Sequence, residues 1–402
     1  MVVLEEIMEH YYKQPLYFSK FKCIGGDCPE SCCGGWQVFW KTSELENLKK
    51  ADVSEDLKHT TDESFSYVKD KECYQIKLCD DGRCPFHDRE TDLCNIQREV
   101  GEKYLGTVCK QYPRHYIENS NQIIRWCATS CPAVIDILFN DEYAMDVEMV
   151  LARDQDKLDR TTITVDTVKA VSLDPVRKMR IPLFDFYTEL LLDKSRDIEI
   201  SIILTALAVK HLTDAEKKGN YVGIPEIIGM LQKMLSTPDV VKSLSEIQPN
   251  YQLKFKLVNN MLVKFFRFNP NISNISALHN GNELVTERYL TGLENFYAAF
   301  DNNIFVLKNV IMNTFYDMNL PLGKYKRTLF ENYSFFVLAA ASFKTVAATV
   351  GYCSKNIKED FKICVAEMSR GFSHDIHRGD EMIEEMIQMG LTTPAHLALI
   401  IK

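Results

Sequence analysis

The feature that most limits what this chain can fold into is a run of cysteines, eleven of thirteen falling between Cys23 and Cys131. They are Cys23, Cys28, Cys32, Cys33, Cys73, Cys79, Cys84, Cys94, Cys109, Cys127 and Cys131; only Cys353 and Cys364 lie elsewhere. Four share the loop from Cys23 to Trp36, whose glycines allow positive φ and let the backbone fold round an atom or cluster. Three more sit in Cys84-Pro85-Phe86, Leu93-Cys94 and Cys109 to Arg114, and a last pair is Cys127 and Cys131.

Three readings compete. A disulfide scaffold needs an oxidising compartment and usually a short secreted chain, and neither condition holds here. Zinc takes four ligands, so eight thiols suit two structural sites. Iron–sulfur clusters also take thiolates and tolerate irregular spacing. The adjacent Cys32 and Cys33 bear on both metal readings: side chains of neighbours in extended backbone point apart, so one is expected to ligate while the other packs or serves a second centre.

Taken in order, Phe21-x-Cys23, Cys28-x-x-x-Cys32-Cys33-x-Gly35-Trp36, Cys84-Pro85-Phe86, Leu93-Cys94, Cys109-x-x-Tyr112-Pro113-Arg114 and Ser130-Cys131-Pro132 resemble the flagellin lysine-N-methylases. A shortened form of the pattern is similar to the zinc- or iron-chelating cysteine-cluster proteins. The motifs cover the first third of the chain; beyond it the resemblance is diffuse, limited to a helix-rich texture around Glu331, Asn332 and Tyr333 and a basic patch near Arg370 and His374. The resemblance implies methyl transfer from S-adenosylmethionine to lysines of flagellin or a similar surface protein, in a protein carrying a 4Fe-4S cluster, with zinc as the alternative metal. It implies Cys23, Cys28, Cys32, Cys33, Cys84, Cys94, Cys109 and Cys131 as metal ligands and leaves Cys73, Cys79 and Cys127 outside the set.

With 402 residues, 46% of them hydrophobic, the chain can bury its cores without covalent staples. A net charge of -9 argues against a nucleic-acid partner, which needs a basic face. The acidic start, Met1 to His10, has no signal-peptide pattern, so a cytoplasmic protein without membrane contact is expected. Tyr333 to Phe343 is apolar but is followed at once by Lys344, short of the ~20 residues that span a bilayer, and reads as a buried helix.

The expected fold is mainly α: a small cysteine-rich α+β metal-binding region over 1–150, a boundary segment over 151–180 and an all-helical body over 181–402. In the first region, Pro15 ends a helix from Leu4 to Tyr12 and an extended stretch follows to Phe21. Gln37 to Trp40 suits a brief strand, a helix with hydroxyl caps begins at Thr42, and Ser64 to Leu78 alternates like a strand. Ile96, Val100, Tyr104 and Leu105 suggest one helix holding Cys94 and Cys109 at its ends. Tyr116 to Ile124 reads as a hairpin turning at Asn119 to Asn121, and Val134 to Phe139 as a helix start aimed at thiolates. Residues 150 to 180, with polar Asp154 to Arg160 and a short strand candidate from Thr162 to Val168, lose the helical period. It returns from Ile181, with Leu183, Tyr187, Leu190 and Leu191 the first of several sets, and the loops at Asn269 to Asn271, His279 to Gly281 and Pro321 to Gly323 separate helices.

No Gly-rich turn of the doubly wound methyltransferase type is present, and Gly35 stands where a radical enzyme's Cys-x-x-x-Cys-x-x-Cys would place its third ligand. Lysine, with a reference pKa of about 10.4, must lose its proton before it attacks a sulfonium carbon. Tyr112 and Arg114 are the candidates for cofactor contact, since Arg forks onto carboxylates, against a structural reading in which they shield the cluster. Trp36 reads as a lid over the metal. His87 and His115 lie near thiols, as ligands or, more commonly, as partly exposed loop histidines, and His374 and His377 share a helix face beside Asp375 or a solvated helix end. A metal-stabilised binding module and an electron-transfer protein remain open alternatives, and the residues name no catalytic base.

Overall fold

A computed structural model describes residues 11–119, 122–151, 180, 182–220, 223–266, 272, 274–281, 283–323, 327–374 and 376–402. The proposed boundary at 152–179, the Leu4 to His10 part of the first helix, the turn residues 120–121 and the loop at 269–271 lie outside them. The described residues form two compact units: 11–14, 18–134 and 148–151 in the first, and 15–17, 135–147 and those from 180 to 402 in the second.

The first unit carries two small sheets. β1 (Tyr11–Pro15) runs parallel to β6 (Gln122–Cys127), which pairs antiparallel with β5 (Arg114–Asn119), and β7 (Val147–Leu151) closes the order β5-β6-β1-β7. The expected hairpin is therefore present in its two arms. The start of the chain is corrected: Tyr11 to Pro15 is strand, and the stretch after Pro15 contains a helical turn, α1 (Tyr17–Lys20). Pro15 is tolerated because it closes the strand, where its missing N–H costs no ladder bond.

The second sheet is β2 (Phe39–Trp40), β4 (Cys73–Ile76) and β3 (Phe65–Val68), in that spatial order. The alternating stretch is thus two antiparallel strands, Val68 opposite Cys73. Helices α2 (Thr42–Lys49), α3 (Glu55–Glu63), α4 (Asn95–Val100) and α5 (Thr107–Gln111) surround it. Val38, Trp40, Leu48, Leu57, Ile76, Phe86, Ile96 and Leu105 form its core.

Two expectations fail here for local reasons. No hydroxyl caps α2; Glu44 does so, accepting from the Lys41 N–H at 2.7 Å while its other oxygen accepts from the Thr107 N–H at 2.8 Å. One carboxylate thereby ties α2 to the helix that carries Cys109. Nor do Cys94 and Cys109 share a helix: Gly101, at φ +84, ends α4, and α5 starts afresh. Cys94 precedes α4 and Cys109 sits inside α5. α6 (Pro132–Asn140) starts where expected, directly after Cys131.

The second unit is helical: α7 (Leu183–Leu192), α8 (Ile198–Lys217), α9 (Ile224–Leu235), α10 (Pro238–Ser245), α11 (Tyr251–Phe266), α12 (Thr286–Ala299), α13 (Phe305–Asp317), α14 (Leu329–Cys353), α15 (Ile357–Ser369), α16 (Ile376–Gln388) and α17 (Pro394–Ile401). Among its described residues is also a two-strand ribbon, β8 (His279–Asn280) with β9 (Glu283–Leu284), so the His279 to Gly281 loop is a hairpin arm. α14 runs 25 residues, past Lys344, and so is long enough to span a bilayer; 94% of its most apolar window is buried by the other helices, which makes it the unit's core. Thr328 and Glu331 cap its start reciprocally, at 3.2 and 2.7 Å. α12 meets α14 backbone to backbone: a Cβ on Gly292 would stand 2.1 Å from the Ala348 oxygen, and one on Gly351 2.0 Å from the Gly292 oxygen. Buried Arg180 donates to Glu216 at 2.9 Å and to the Leu322 carbonyl at 2.9 Å.

Candidate metal centre

Every cysteine is a free thiol, Cys23 and Cys32 exposed, Cys28, Cys33, Cys84, Cys94 and Cys109 half-buried and Cys131 buried. Backbone pairing brings the first of them together. Gly34 and Arg83 form an antiparallel bridge in which the Cys84 N–H donates to the Cys33 carbonyl at 2.7 Å and the Gly35 N–H to the Gly82 carbonyl at 2.9 Å. Cys33 and Cys84 therefore stand directly opposite each other, where cross-strand Cβ atoms are about 5 Å apart. From Cys84 the chain turns through His87, whose N–H donates to the Cys84 carbonyl at 3.1 Å, and His87 bridges to Cys94. Cys84, Cys94 and Cys109 all pack against the Trp40 core, with Trp36 beside them.

Cys23 and Cys28 lie in the loop before Cys32, and Cys131 stands just before α6. The Gly25 N–H points to the Cys23 sulfur at 3.5 Å, and the Cys28 N–H donates to the Gly25 carbonyl at 3.1 Å, so the positive φ of Gly25 curls the loop back on itself. Cys131 opens α6, and the N–H groups of Val134 and Ala133 donate to its sulfur. These amides favour a thiolate, as the helix start was expected to do.

Burial dominates the thiol acidities. It pushes Cys84 and Cys109 up to about 12 and Cys131 up to about 11, against the N–H of Phe86 at Cys84 and those of α6 at Cys131. Charge on neighbouring thiols adds to the rise: Cys94 and Cys32 act on Cys84 and Cys109, and Cys28 and Cys23 act on Cys131. Cys32 and Cys33 share a hydrogen bond, which lowers Cys32 to about 7 and raises Cys33. The pair lies in a loop of bends, so the alternation expected of neighbours in extended backbone does not apply to it.

The donor set suits a thiophilic metal or an iron–sulfur cluster: soft sulfurs, flanked by amide donors, in a unit with a small core. The thiols converge without closing. Among the described residues, no three cysteine, histidine, aspartate or glutamate side chains surround one point at metal-binding distance.

Around the thiols, the Trp36 indole donates to the Cys32 carbonyl at 2.9 Å and its ring lies 5.9 Å from that of Tyr112. The Tyr112 hydroxyl meets that of Ser130 at 3.1 Å, and the Arg114 guanidinium lies 5.0 Å over the Phe21 ring. His87 is buried rather than loop-exposed, Nε2 being 3.2 Å from Asp92, while His115 stacks on Trp126 at 5.3 Å. Cys79, left out of the expected set, lies close enough to Cys84 for its charge to act there; the turn closed by Gly82, whose N–H donates to the Cys79 carbonyl at 2.8 Å, was its signal. Cys127 is fully buried opposite Arg114, Cys73 pairs within β4, and Cys364 is buried in α15 of the helical unit. His374 lies in the π turn of Arg370–His374 and His377 in α16. The helical unit contributes a cleft of about 260 Å³ lined by Lys210, Thr213, Lys217, Phe330, Glu331 and Met386 among others.

Residues 184–400 match the family described as the FliB lysine N-methylase C-terminal domain. Lysine-N-methylases of Salmonella typhimurium and Salmonella choleraesuis are each 26% identical over 266 residues, 64% of this chain and 61% of theirs. The chain thus matches about three fifths of the length of these relatives. Flagellar biosynthetic protein FliU of Salmonella muenchen is 29% identical over 137 residues, 33% of this chain and 79% of that protein. No solved structure matches.

Proposed function

The chain belongs to the FliB lysine N-methylase family, and from that membership we propose that it is a protein-lysine N-methyltransferase, using S-adenosylmethionine and acting on flagellin or a flagellin-like surface protein. The single observation that carries this reading is the family match over residues 184–400, most of the helical unit. The curated relatives named lysine-N-methylase and FliU support it.

The chemistry sets what the protein must supply. The substrate ammonium gives up its proton, the freed lone pair forms the N–C bond, and the C–S bond of the sulfonium breaks in the same displacement, leaving the thioether. Desolvation of the lysine or a nearby base makes the neutral amine available at pH 7. Arg114 is the proposed fork for the donor's carboxylate, and Tyr112, held by Ser130, the proposed neighbour that orients it. Cys23, Cys28, Cys32, Cys33, Cys84, Cys94, Cys109 and Cys131 are the proposed thiolates for an iron–sulfur cluster, with zinc the alternative. A metal group there supplies ties between loop, strands and helices that the small core does not.

The test is mass spectrometry of flagellin lysines after incubation with anaerobically prepared protein and S-adenosylmethionine. The expected outcome is a gain of methyl mass, lost together with the metal in Cys28→Ala and Cys109→Ala and retained in Cys353→Ala. No methyl gain with metal-replete protein, and no heat of S-adenosylmethionine binding, would replace the methylase with a metal-stabilised binding module.

A further inference from the structure

The cleft of the helical unit has no part in the chemistry above, and its lining says what it can hold. α8 lays Lys210 and Lys217 along it, the start of α14 supplies Phe330, and the end of α16 with the loop after it supplies Ile383, Met386 and Leu391. The last four are buried, so the floor is apolar. The hydroxyls there are already engaged: Thr213 donates to the Val209 carbonyl at 2.8 Å and accepts from the Phe330 N–H at 2.9 Å, and Ser334 donates to the Phe330 carbonyl at 2.7 Å. So are the acids. Glu331 accepts from the Thr328 N–H at 2.7 Å, and Asp380 and Glu384 of α16 hold Arg327 at 3.3 and 2.6 Å. The two ammonium groups are left to meet a ligand. Lys217 is exposed in the last turn of α8 and has no ion-pair partner among the described residues. Lys210 lies over the Phe330 ring at 5.7 Å, and its contact with Asp214 at 3.5 Å is a surface pair one turn apart with the base preceding the acid, which holds it weakly.

A fitting ligand therefore brings negative charge for the lysines and apolar bulk for the floor. Size narrows the choice. Pockets that enclose a whole cofactor-sized molecule measure roughly 300–1,000 Å³, and at about 260 Å³ this cleft suits one or two side chains of a larger partner. Bases seven residues apart on a helix stand about 10 Å apart along its axis. In an extended chain, acids at alternate-face positions four residues apart span about 13 Å with one more side chain midway on the same face, a separation that flexible lysine stems can meet. We propose that this cleft docks the protein substrate, taking an extended segment that presents an acid, a large apolar residue and an acid on one face, separate from the lysine that is methylated. The inference rests on the reading of the chain as an enzyme acting on a protein, and it adds how that protein is held.

Fluorescence anisotropy of labelled flagellin monomers, titrated with the anaerobically prepared full chain in the absence of S-adenosylmethionine, reads docking without activity. Lys217→Glu is expected to weaken binding about tenfold, and Lys210→Glu with Lys217→Glu further, because the reversed charges repel the acids of the segment. Lys217→Arg should bind like the unaltered chain, and so should Lys242→Glu, an exposed position on α10 outside the cleft. The peptide acetyl-Glu-Ser-Leu-Ser-Glu-amide should compete with flagellin, and acetyl-Lys-Ser-Leu-Ser-Lys-amide should not. In methylation assays, Lys217→Glu should raise the KM for flagellin by the same factor at unchanged kcat. Binding that ignores Lys217→Glu, or that weakens equally in Lys242→Glu, overturns the docking cleft and leaves the methyltransferase reading standing. Competition by octanoate as strong as that of the acidic peptide also overturns it, and makes the cleft a pocket for small amphiphilic acids. Binding that depends on Lys217 with no gain of methyl mass sustains the docking cleft and sinks the methyltransferase, whereas no flagellin binding by the unaltered chain overturns the docking cleft.

Discussion

The two units solve the same problem with different means. The helical unit spends apolar side chains freely: α14 is wrapped by its neighbours, with Phe336, Ala340 and Phe343 fully buried. The cysteine unit has a modest cluster around Trp40 and surrounds it with free thiols, several of them in contact with backbone groups. Small cores stabilise poorly because too little surface is removed from water, so the proposed metal would add there what packing leaves out. In the helical unit the cysteines stand alone, and Cys364 is one more buried apolar group.

Several measurements break or sharpen this contrast. Stripping the metal from the loaded protein should have the largest effect, on the order of 10 kcal/mol in the cysteine unit and nearly none in the helical one. Hydrogen exchange read by mass spectrometry separates them: protection should vanish at Trp40, Ile76 and Ile96 and persist along α14, and equal loss in both units would erase the distinction. Phe336→Ala is the reverse probe, removing a fully buried ring from the helical core at a cost of about 3–5 kcal/mol, with metal content unchanged by elemental analysis. Gly106→Ala tests how tightly the thiol scaffold is built. The added Cβ would meet Trp40 Nε1 at 2.4 Å, so chemical denaturation should show a loss of about 1–3 kcal/mol together with weaker metal retention. Ser54→Ala should do least. It removes the hydroxyl that accepts from the Leu57 N–H at 3.2 Å at the start of α3, worth about 1 kcal/mol, and leaves the metal in place.

Much of this architecture could be read from residues because the governing signals are local. Helical periods in α7, α8, α12 and α13 follow from apolar spacing alone, and the arms of the β5–β6 hairpin follow from alternation flanking polar residues. The readings that failed depended on partners far along the chain. Lys344 looked like the end of an apolar stretch, yet it lies within α14 because Glu199 of α8 accepts its charge. Glu44 looked like an ordinary first-turn acid, whereas it also caps the approach to α5, 63 residues away. His87 looked exposed because nothing nearby in sequence announces the hairpin that buries it beside Asp92. The cysteine pattern singled out the thiols of the array, whereas the placing of Cys32 and Cys33 depends on a bend that pairwise spacing does not encode.

The order in which α14 is made has its own consequence. A ribosome completes α7 to α13, from Leu183 to Asp317, before it begins the helix at Leu329 on which several of them close. During that interval the faces of α8 and α12 that α14 covers have no permanent neighbour, and exposed surfaces of this kind invite association between nascent chains. Gly292 sharpens the point: its bare backbone is shaped for Ala348, and until α14 arrives that groove stands open. The late synthesis of the central helix therefore leaves the unit's core to be completed last, and a premature stop before Leu329 would remove that core outright, damage out of proportion to the number of missing residues.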